Sequence, residues 1–265
     1  MPPKILGIVN ITEDSFSDGG RFLAPEKAAG HALALMQAGA DIIDLGPASS
    51  HPNAIPVTPE EEIRRLAPVM EALQAEGVPV SVDSFHPQTQ LFALAHGASF
   101  LNDIQGFPER EIYPELARSD CRLIVMHAIQ GLGVAQRRKS DLAALPGQVR
   151  DFFETRIGRL EQAGIARERL ILDPGMGFFL GSQPEASLLI LRSLRDLREA
   201  FGLPVLISVS RKSFLRTLAG RGIEAIGAAT LAAELFAAAQ GVEYIRTHDT
   251  GALRDGLTIW SALQN

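Results

Sequence analysis

The runs "KILGIVN", "DIIDLG", "PVSVDS", "SFLNDI", "RLIVMH", "RLILDP", "PVLISVS" and "EYIRTH" each lead from apolar, mostly β-branched residues straight into a charged or hydrogen-bonding group. The groups at these ends are Asn10, Asp44, Asp83, Asn102 with Asp103, His127, Asp173, Ser210 with Arg211, and Arg246 with His248. One polar strand end is ordinary and reads as a turn cap. Eight of them on one rim ask for a common ligand. The types also sort along the chain. Asp83, Asn102 and Asp173 follow the third, fourth and sixth runs; Arg211, Lys212, Arg246 and His248 follow the seventh and eighth, and Asn10 the first. Arginine offers a bidentate fork to phosphate oxygens. A carboxylate accepts from adjacent donors of a flat heterocycle. The pattern therefore reads as a site for a nitrogen heterocycle that carries a phosphate or pyrophosphate, with an acid and amide sector beside a cationic one.

These residues must be brought to one rim, and the pattern of elements says how. The eight runs are apolar at successive positions, as parallel strands buried on both faces are. Helical segments lie between them. Thr58-Pro59-Glu60-Glu61 is a capping box with proline at the first helical position. Ile63, Leu66, Met70 and Leu73 follow as an apolar stripe. Pro184 opens a further helix, carrying Leu188, Leu191, Leu194 and Leu197 and ending at Gly202. Strand and helix units repeating over residues 1–265 predict a single α/β domain, a closed (β/α)8 TIM barrel with its site at the carboxyl ends of the strands. An open doubly wound sheet competes, but no G-x-G-x-x-G follows the first strand. In a closed barrel strands seven, eight and one are neighbours, so the cations fall together where barrels often bind phosphate.

Composition narrows the classes. Hydrophobic residues make up 46% of the chain, enough for a sizeable core. Lys plus Arg is 25 against 31 for Asp plus Glu, a formal charge of −6, which leaves no basic surplus for nucleic acid. The run Arg137-Arg138-Lys139 reads as a solvated loop. The single cysteine, Cys121, permits no internal disulfide. No run is apolar enough for a membrane span, and the start "MPPKILGIVN" lacks the features of a signal peptide, so the expectation is a cytoplasmic protein. No H-E-x-x-H or G-x-S-x-G is present. Ser210 reads as a turn hydroxyl, and His127 as either a packed core residue or a ligand contact.

At these residues the chain resembles the dihydropteroate synthase family over nearly its whole length. The motifs are "GIVNITEDSFSDGG", "DIIDLG", "VDS", "LNDI", "LDPGMGF", "SRKSFL" and "RTHD", in the family's order. The resemblance implies condensation of a dihydropterin-methyl pyrophosphate with p-aminobenzoate, giving dihydropteroate and pyrophosphate by an SN1-like path. It implies pterin contacts from Asp83, Asn102, Asp173 and Lys212. It assigns Asn10, Arg246 and His248 to Mg2+ and pyrophosphate, with Asn10 on the metal and Arg211 in support. The residues carrying the chemistry would be Asn10, Lys212, Arg246 and His248. Ser50, Pro52, Phe178 and Ser213 would lie near p-aminobenzoate. "NITEDSFSDGG" would close as a lid, and late helices, including "AATLAAELFAAA", would form a homodimer contact.

Two departures answer to the same pocket. After the second strand the family has Gly-Glu-Ser-Thr-Arg-Pro-Gly, where this chain has Pro47 to Asn53, so His51 stands where an arginine would clamp pyrophosphate. After Asp-Pro-Gly the family has Phe-Gly-Phe-Gly-Lys, where this chain has Met176, Gly177, Phe178, Phe179 and Leu180. In both respects the chain resembles the sulfonamide-insensitive enzymes carried on mobile elements, and Phe179 becomes a candidate for separating p-aminobenzoate from the drug. A pterin-binding methyltransferase serving a corrinoid and a non-catalytic paralogue are the alternatives. The intact lid motif and "RTH" argue against the first, and the presence of Asn10, Lys212 and Arg246 against the second.

Overall fold

The computed structural model describes residues 2–12 and 25–264. The proposed lid lies, beyond Thr12, outside the described residues. Eight parallel strands form one sheet: β1 (Lys4–Asn10), β2 (Ile42–Gly46), β3 (Val80–Asp83), β4 (Phe100–Asp103), β5 (Arg122–Met126), β6 (Leu170–Asp173), β7 (Leu206–Ile207) and β8 (Tyr244–Thr247). They run in the order β6-β5-β4-β3-β2-β1-β8-β7. The two ends meet where Leu172 N–H donates to the Pro204 carbonyl at 2.9 Å and Leu172 bridges Val205. The barrel expected from the sequence is therefore present, and β7, β8 and β1 are neighbours as the phosphate argument requires.

The helices α1 (Pro25–Gln37), α2 (Pro59–Ala75), α3 (Pro87–Ala95), α4 (Tyr113–Arg118), α5 (Leu145–Gln162), α6 (Pro184–Arg192), α7 (Leu194–Phe201), α8 (Ser213–Ala219), α9 (Gly227–Ala239) and α10 (Thr250–Gln264) cover the outside. Thr58 Oγ1 accepts from Glu61 N–H and starts α2 as its capping box predicts. The buried face of α2 differs from expectation. Ile63 is half-buried, and Glu62 and Arg65 occupy the inner face with Leu66, Val69, Met70 and Leu73. The segment after Pro184 is also not one helix. The Ser193 amide and hydroxyl both reach the Ile190 carbonyl, at 3.0 and 3.1 Å, which tightens the turn and ends α6 before α7 begins. No helix among the described residues is long and apolar enough to cross a membrane.

The barrel interior has two chemistries stacked along its axis. Leu6, Ile42, Phe100, Ile124, Ile171, Leu206 and Tyr244 pack into an apolar plug. Strand residues two apart point to the same face. The positions two residues on are Ile8, Asp44, Asn102, Met126, Asp173, Ser208 and Arg246, all polar except Ile8 and Met126, so the polar site begins one layer above the plug. The plug excludes water from one end, and the charges above it have no solvent beneath them.

The turn after β6 depends on a glycine. Gly175 has φ +74, and a Cβ built there would lie 2.4 Å from the His127 carbonyl oxygen. Gly175→Ala is expected to destabilise the protein by about 2 kcal/mol, from the left-handed backbone and the close approach together. Urea unfolding read at the midpoint checks this; a midpoint equal to that of the parent would refute it.

Candidate active site

At the carboxyl ends of the strands lies a cavity of about 490 Å3. Of the residues singled out in the sequence, Asn10, Ser50, His51, Pro52, Asp83, Phe178, Phe179, Arg211, Lys212, Ser213, Arg246 and His248 line it. Asn102 and Asp173 do not; both are buried beside it. Asn102 is the register partner of Asp83 across β3 and β4, and its Oδ1 has no hydrogen-bond partner among the described residues. Asp103, next to it, faces the other way and accepts from Gln90 and the Gln105 and Phe107 amides, so its role is structural.

The centre of the site is an ion triad in which Asp44 is buried and Arg246 and Asp83 are half-buried. Arg246 Nε donates to Asp44 Oδ2 at 2.6 Å, and Arg246 Nη2 to Asp83 Oδ2 at 2.7 Å. Asp44 is fully buried, and Ser81 Oγ donates to its other oxygen at 2.5 Å. This corrects the expected separation into an acid sector and a cationic one. The Arg246 side chain crosses the barrel and takes two acids as partners, because inward residues of β2, β3 and β8 share one narrow interior. Burial weakens the charged form of Arg246, but Asp44 and Asp83 overcome it and push its pKa up. Burial likewise pushes the Asp83 carboxyl up while Arg246 pulls it back down.

Lys212 and Asp173 stand next to this triad. Burial, with help from Arg246, brings the Lys212 ammonium down to about 8, against the opposing pull of Asp173 and Asp83. Burial pushes Asp173 up to about 6, although the Gly175 amide donates to it at 2.8 Å. His127 is settled as a packed residue. Its Nδ1 meets the Pro174 carbonyl, its ring lies edge-on to Phe152, and burial holds its pKa down to about 4.

The loops after β7 and β8 are joined by Ser210, whose Oγ lies 2.9 Å from His248 Nδ1 and accepts from the His248 amide. Burial, followed by the charges of Arg211, Arg246 and Lys212, lowers His248 to about 3, so the imidazole is neutral near pH 7. Arg211 has φ +59, a strained conformation for a side-chain-bearing residue. Thr230 on α9 holds it by accepting from its amide. One turn further along α9, Glu234 is buried against Thr247, and burial pushes its carboxyl up to about 8. Sequence reading missed this support because α9 looks like plain alanine-rich packing.

The other wall comes from the loops after β2 and β6. The Ala135 amide donates to the Ser50 carbonyl at 3.1 Å, joining the loops after β2 and β5. His51 meets the Phe178 ring edge-on at 6.0 Å, and the Arg137 guanidinium lies 5.7 Å from the Phe178 centroid. Arg137 therefore belongs to the rim of this wall, although it is exposed as the solvated-loop reading expects. Burial and then Arg137, Arg216 and Lys212 lower the His51 pKa. Phe179 is packed with Ile104, Met126, Ala128 and Ala135, and Lys212 Nζ lies 5.3 Å from its ring centroid. Thus Phe178 faces the Ser49–His51 side, and Phe179 faces Lys212.

Among the described residues no group of three His, Cys, Asp or Glu is placed to hold a metal ion. Asn10 sits against Gly46, where a Cβ would lie 3.2 Å from Asn10 Oδ1. One neutral amide oxygen fits Mg2+ only as a single ligand among waters and phosphate oxygens, which is how Mg2+ is commonly held.

A parallel barrel with acids, an unpaired amide oxygen and cations around one cavity suits a ligand that offers both hydrogen-bond donors and negative charge. The chain belongs to the pterin binding enzyme family, whose pattern matches residues 6–248, and within it to the dihydropteroate synthases. It is 57% identical over 260 residues to dihydropteroate synthase type-2 of Escherichia coli, covering 98% of this chain and 96% of that protein. It is 50% identical over 263 residues to the type-1 enzyme of Pseudomonas aeruginosa, covering 98% and 93%. A solved Xanthomonas albilineans dihydropteroate synthase with 4-aminobenzoic acid superposes with a TM-score of 0.91 at 38% identity, over 99% of this chain and 93% of that one.

A pH dependence follows from Lys212. Its ammonium is charged below about 8 and neutral above, so affinity for inorganic pyrophosphate should fall as the pH rises through that value. His248, already neutral, adds no slope there. Pyrophosphate itself loses its last proton in this range, so the parent is read as a ratio to Lys212→Arg in calorimetric titrations between pH 7 and 9.5, and that ratio of affinities should fall. A ratio that stays constant would remove Lys212 from the anion site.

Proposed function

We propose that the protein condenses 7,8-dihydropterin-6-ylmethyl diphosphate with p-aminobenzoate, releasing pyrophosphate, as a cytoplasmic homodimer in folate biosynthesis. The observation that carries the reading is the single cavity in which Asp83, Lys212, Arg246, His248 and Asn10 meet Ser50, Phe178 and Ser213. The Xanthomonas albilineans enzyme was solved with 4-aminobenzoic acid and with 7,8-dihydropteroate, the second structure having a TM-score of 0.87 at 37% identity.

In this reading Asn102 and Asp173 hold the pterin's donors with Asp83, and the unpartnered Asn102 Oδ1 has its donor in the pterin. Lys212, Arg246 and His248 stabilise negative charge on the departing pyrophosphate, so they act on the transition state rather than on substrate binding alone. Mg2+ bound to Asn10 and the pyrophosphate would supply further charge neutralisation to the leaving group. The pterin delocalises the cation left as the C–O bond breaks. The arylamine of p-aminobenzoate is neutral near pH 7 and attacks without a strong base. Ser50, Pro52, Phe178 and Ser213 orient its ring, and His51 takes the place of a clamping arginine. The exposed Phe236 on α9 and Ile259, Trp260 and Leu263 on α10 offer an apolar face for a second copy.

Incorporation of radiolabelled p-aminobenzoate into dihydropteroate, assayed with Mg2+ and with a chelator, tests the reading. Metal-dependent incorporation is expected. Absence of product, or methyl transfer from a reduced folate to a corrinoid, would overturn it.

We also propose that the pocket tolerates sulfonamides. A sulfonamide places a tetrahedral sulfone and a bulky substituent where p-aminobenzoate has a flat carboxylate, and bulk on the wall can exclude one while admitting the other. Phe179 supplies that bulk, with the Ser49-Ser50-His51 loop opposite. Phe179→Gly should restore inhibition by sulfamethoxazole with p-aminobenzoate turnover retained. Because the ring is packed, the variant should also lose about 3 kcal/mol of stability, so inhibition must be read on folded, active enzyme. Tight competitive inhibition of the unmodified protein by sulfamethoxazole would remove Phe179 from this role.

A further inference from the structure

Arg65 lies outside the cavity and outside every motif discussed above, yet its side chain is only 6% exposed. Its Nη1 donates to the Pro47 carbonyl at 2.8 Å and reaches the Ile11 carbonyl at 3.5 Å. Ile11 follows Asn10 at the end of β1, and Pro47 follows Gly46 at the end of β2. Beyond the ladder, the two strand ends are held by one backbone bond, Ile11 N–H to the Gly46 carbonyl at 2.8 Å. The carbonyls one step further along have no ladder to enter, and a buried carbonyl requires a donor. One guanidinium nitrogen, with two hydrogens, faces both.

We propose that Arg65 is a positioning residue that sets the loop after β2, and with it Ser50, His51 and Pro52, relative to Asn10. Its charge is offset in part. Arg65 Nε donates to Glu61 Oε1 at 2.7 Å, and Glu61, paired to Arg64 and Arg65, has its pKa lowered to about 2. Glu61 is shared with the exposed Arg64, so the three groups keep one net positive charge, and the part of Arg65 that reaches the pocket's loops is its hydrogen bonds. It sits on α2, whose N-terminus is fixed by Thr58, and so transmits the position of a rigid helix to two loop bases. Its hydrogen bonds include those to Glu61 and to the Ile11 and Pro47 carbonyls at the bases of the loops after β1 and β2.

This inference rests on the proposed function, because it predicts a difference between the two substrates. In Arg65→Ala the KM for p-aminobenzoate should rise about tenfold, as expected when one buried charge-assisted hydrogen-bond set is lost. Affinity for a bare pterin, measured by calorimetry, should change less than about twofold on the same argument. Arg65→Lys keeps the charge beside Glu61 without the fork, and should give the same split in smaller measure. Activity of the parent tests the function separately. Equal loss of pterin and p-aminobenzoate binding would make Arg65 a structural residue only and overturn the proposal. So would an unchanged p-aminobenzoate KM in Arg65→Ala. Should that variant not fold, an unchanged KM in Arg65→Lys would overturn it.

Discussion

The site depends on one cation held by two acids. Arg246 lies one layer above an apolar plug with only a small part of its side chain open to the cavity, and Asp44 and Asp83 offset the cost of taking its charge out of water. Removing one member of such a group leaves an unpaired buried charge, which is far more harmful than never having built the pair. The guanidinium satisfies both carboxylates only with β2, β3 and β8 all in register, and Lys212 and Asp173 stand beside that set of charges. Function and fold are thus constrained at the same residues.

Much of this was legible in the sequence. The barrel followed from eight apolar runs, each ending in a polar group, and its phosphate-suited sector from the order of those ends. The position of the site at the carboxyl ends needed only the chain direction. What a linear reading could not supply was direction across the barrel. Arg246 and Asp44 are 202 residues apart and meet only because strands close into a ring. Arg65 was hidden for a different reason. A charged residue in an amphipathic helix is ordinarily assigned to the solvated face, and the stripe through Ile63 seemed to confirm this. The signal that would have found it is spacing: Glu62, Arg65, Leu66, Val69 and Leu73 repeat at the helical period, which sets two charged residues on the apolar face. The break at Ser193 was equally invisible to periodicity, because the leucines on either side keep their pattern across it.

The loops after β2, β5 and β6 are tied to one another. The Ser50 carbonyl accepts from the Ala135 amide, the Phe179 carbonyl from the Ile129 amide, and His51 and Arg137 both meet Phe178. Asp83, Asn102, Asp173 and Arg246, by contrast, are strand residues held by the ladder. One cavity is thus walled partly by loops and partly by strands, the usual division between the variable and the fixed parts of a site.

The turn Gly177–Phe179 has a further consequence. It is a single short turn, with Gly177 at φ +64 and Phe179 packed into a core cluster, so its residues are held from both sides. Its last ring, however, lies against Lys212, which belongs to the other substrate's half of the cavity. A change of shape at Phe179 is therefore felt at Lys212 as well as at the loop wall. The two ends of the cavity are not independent, and a substitution that reshapes one also alters the surroundings of the cation at the other.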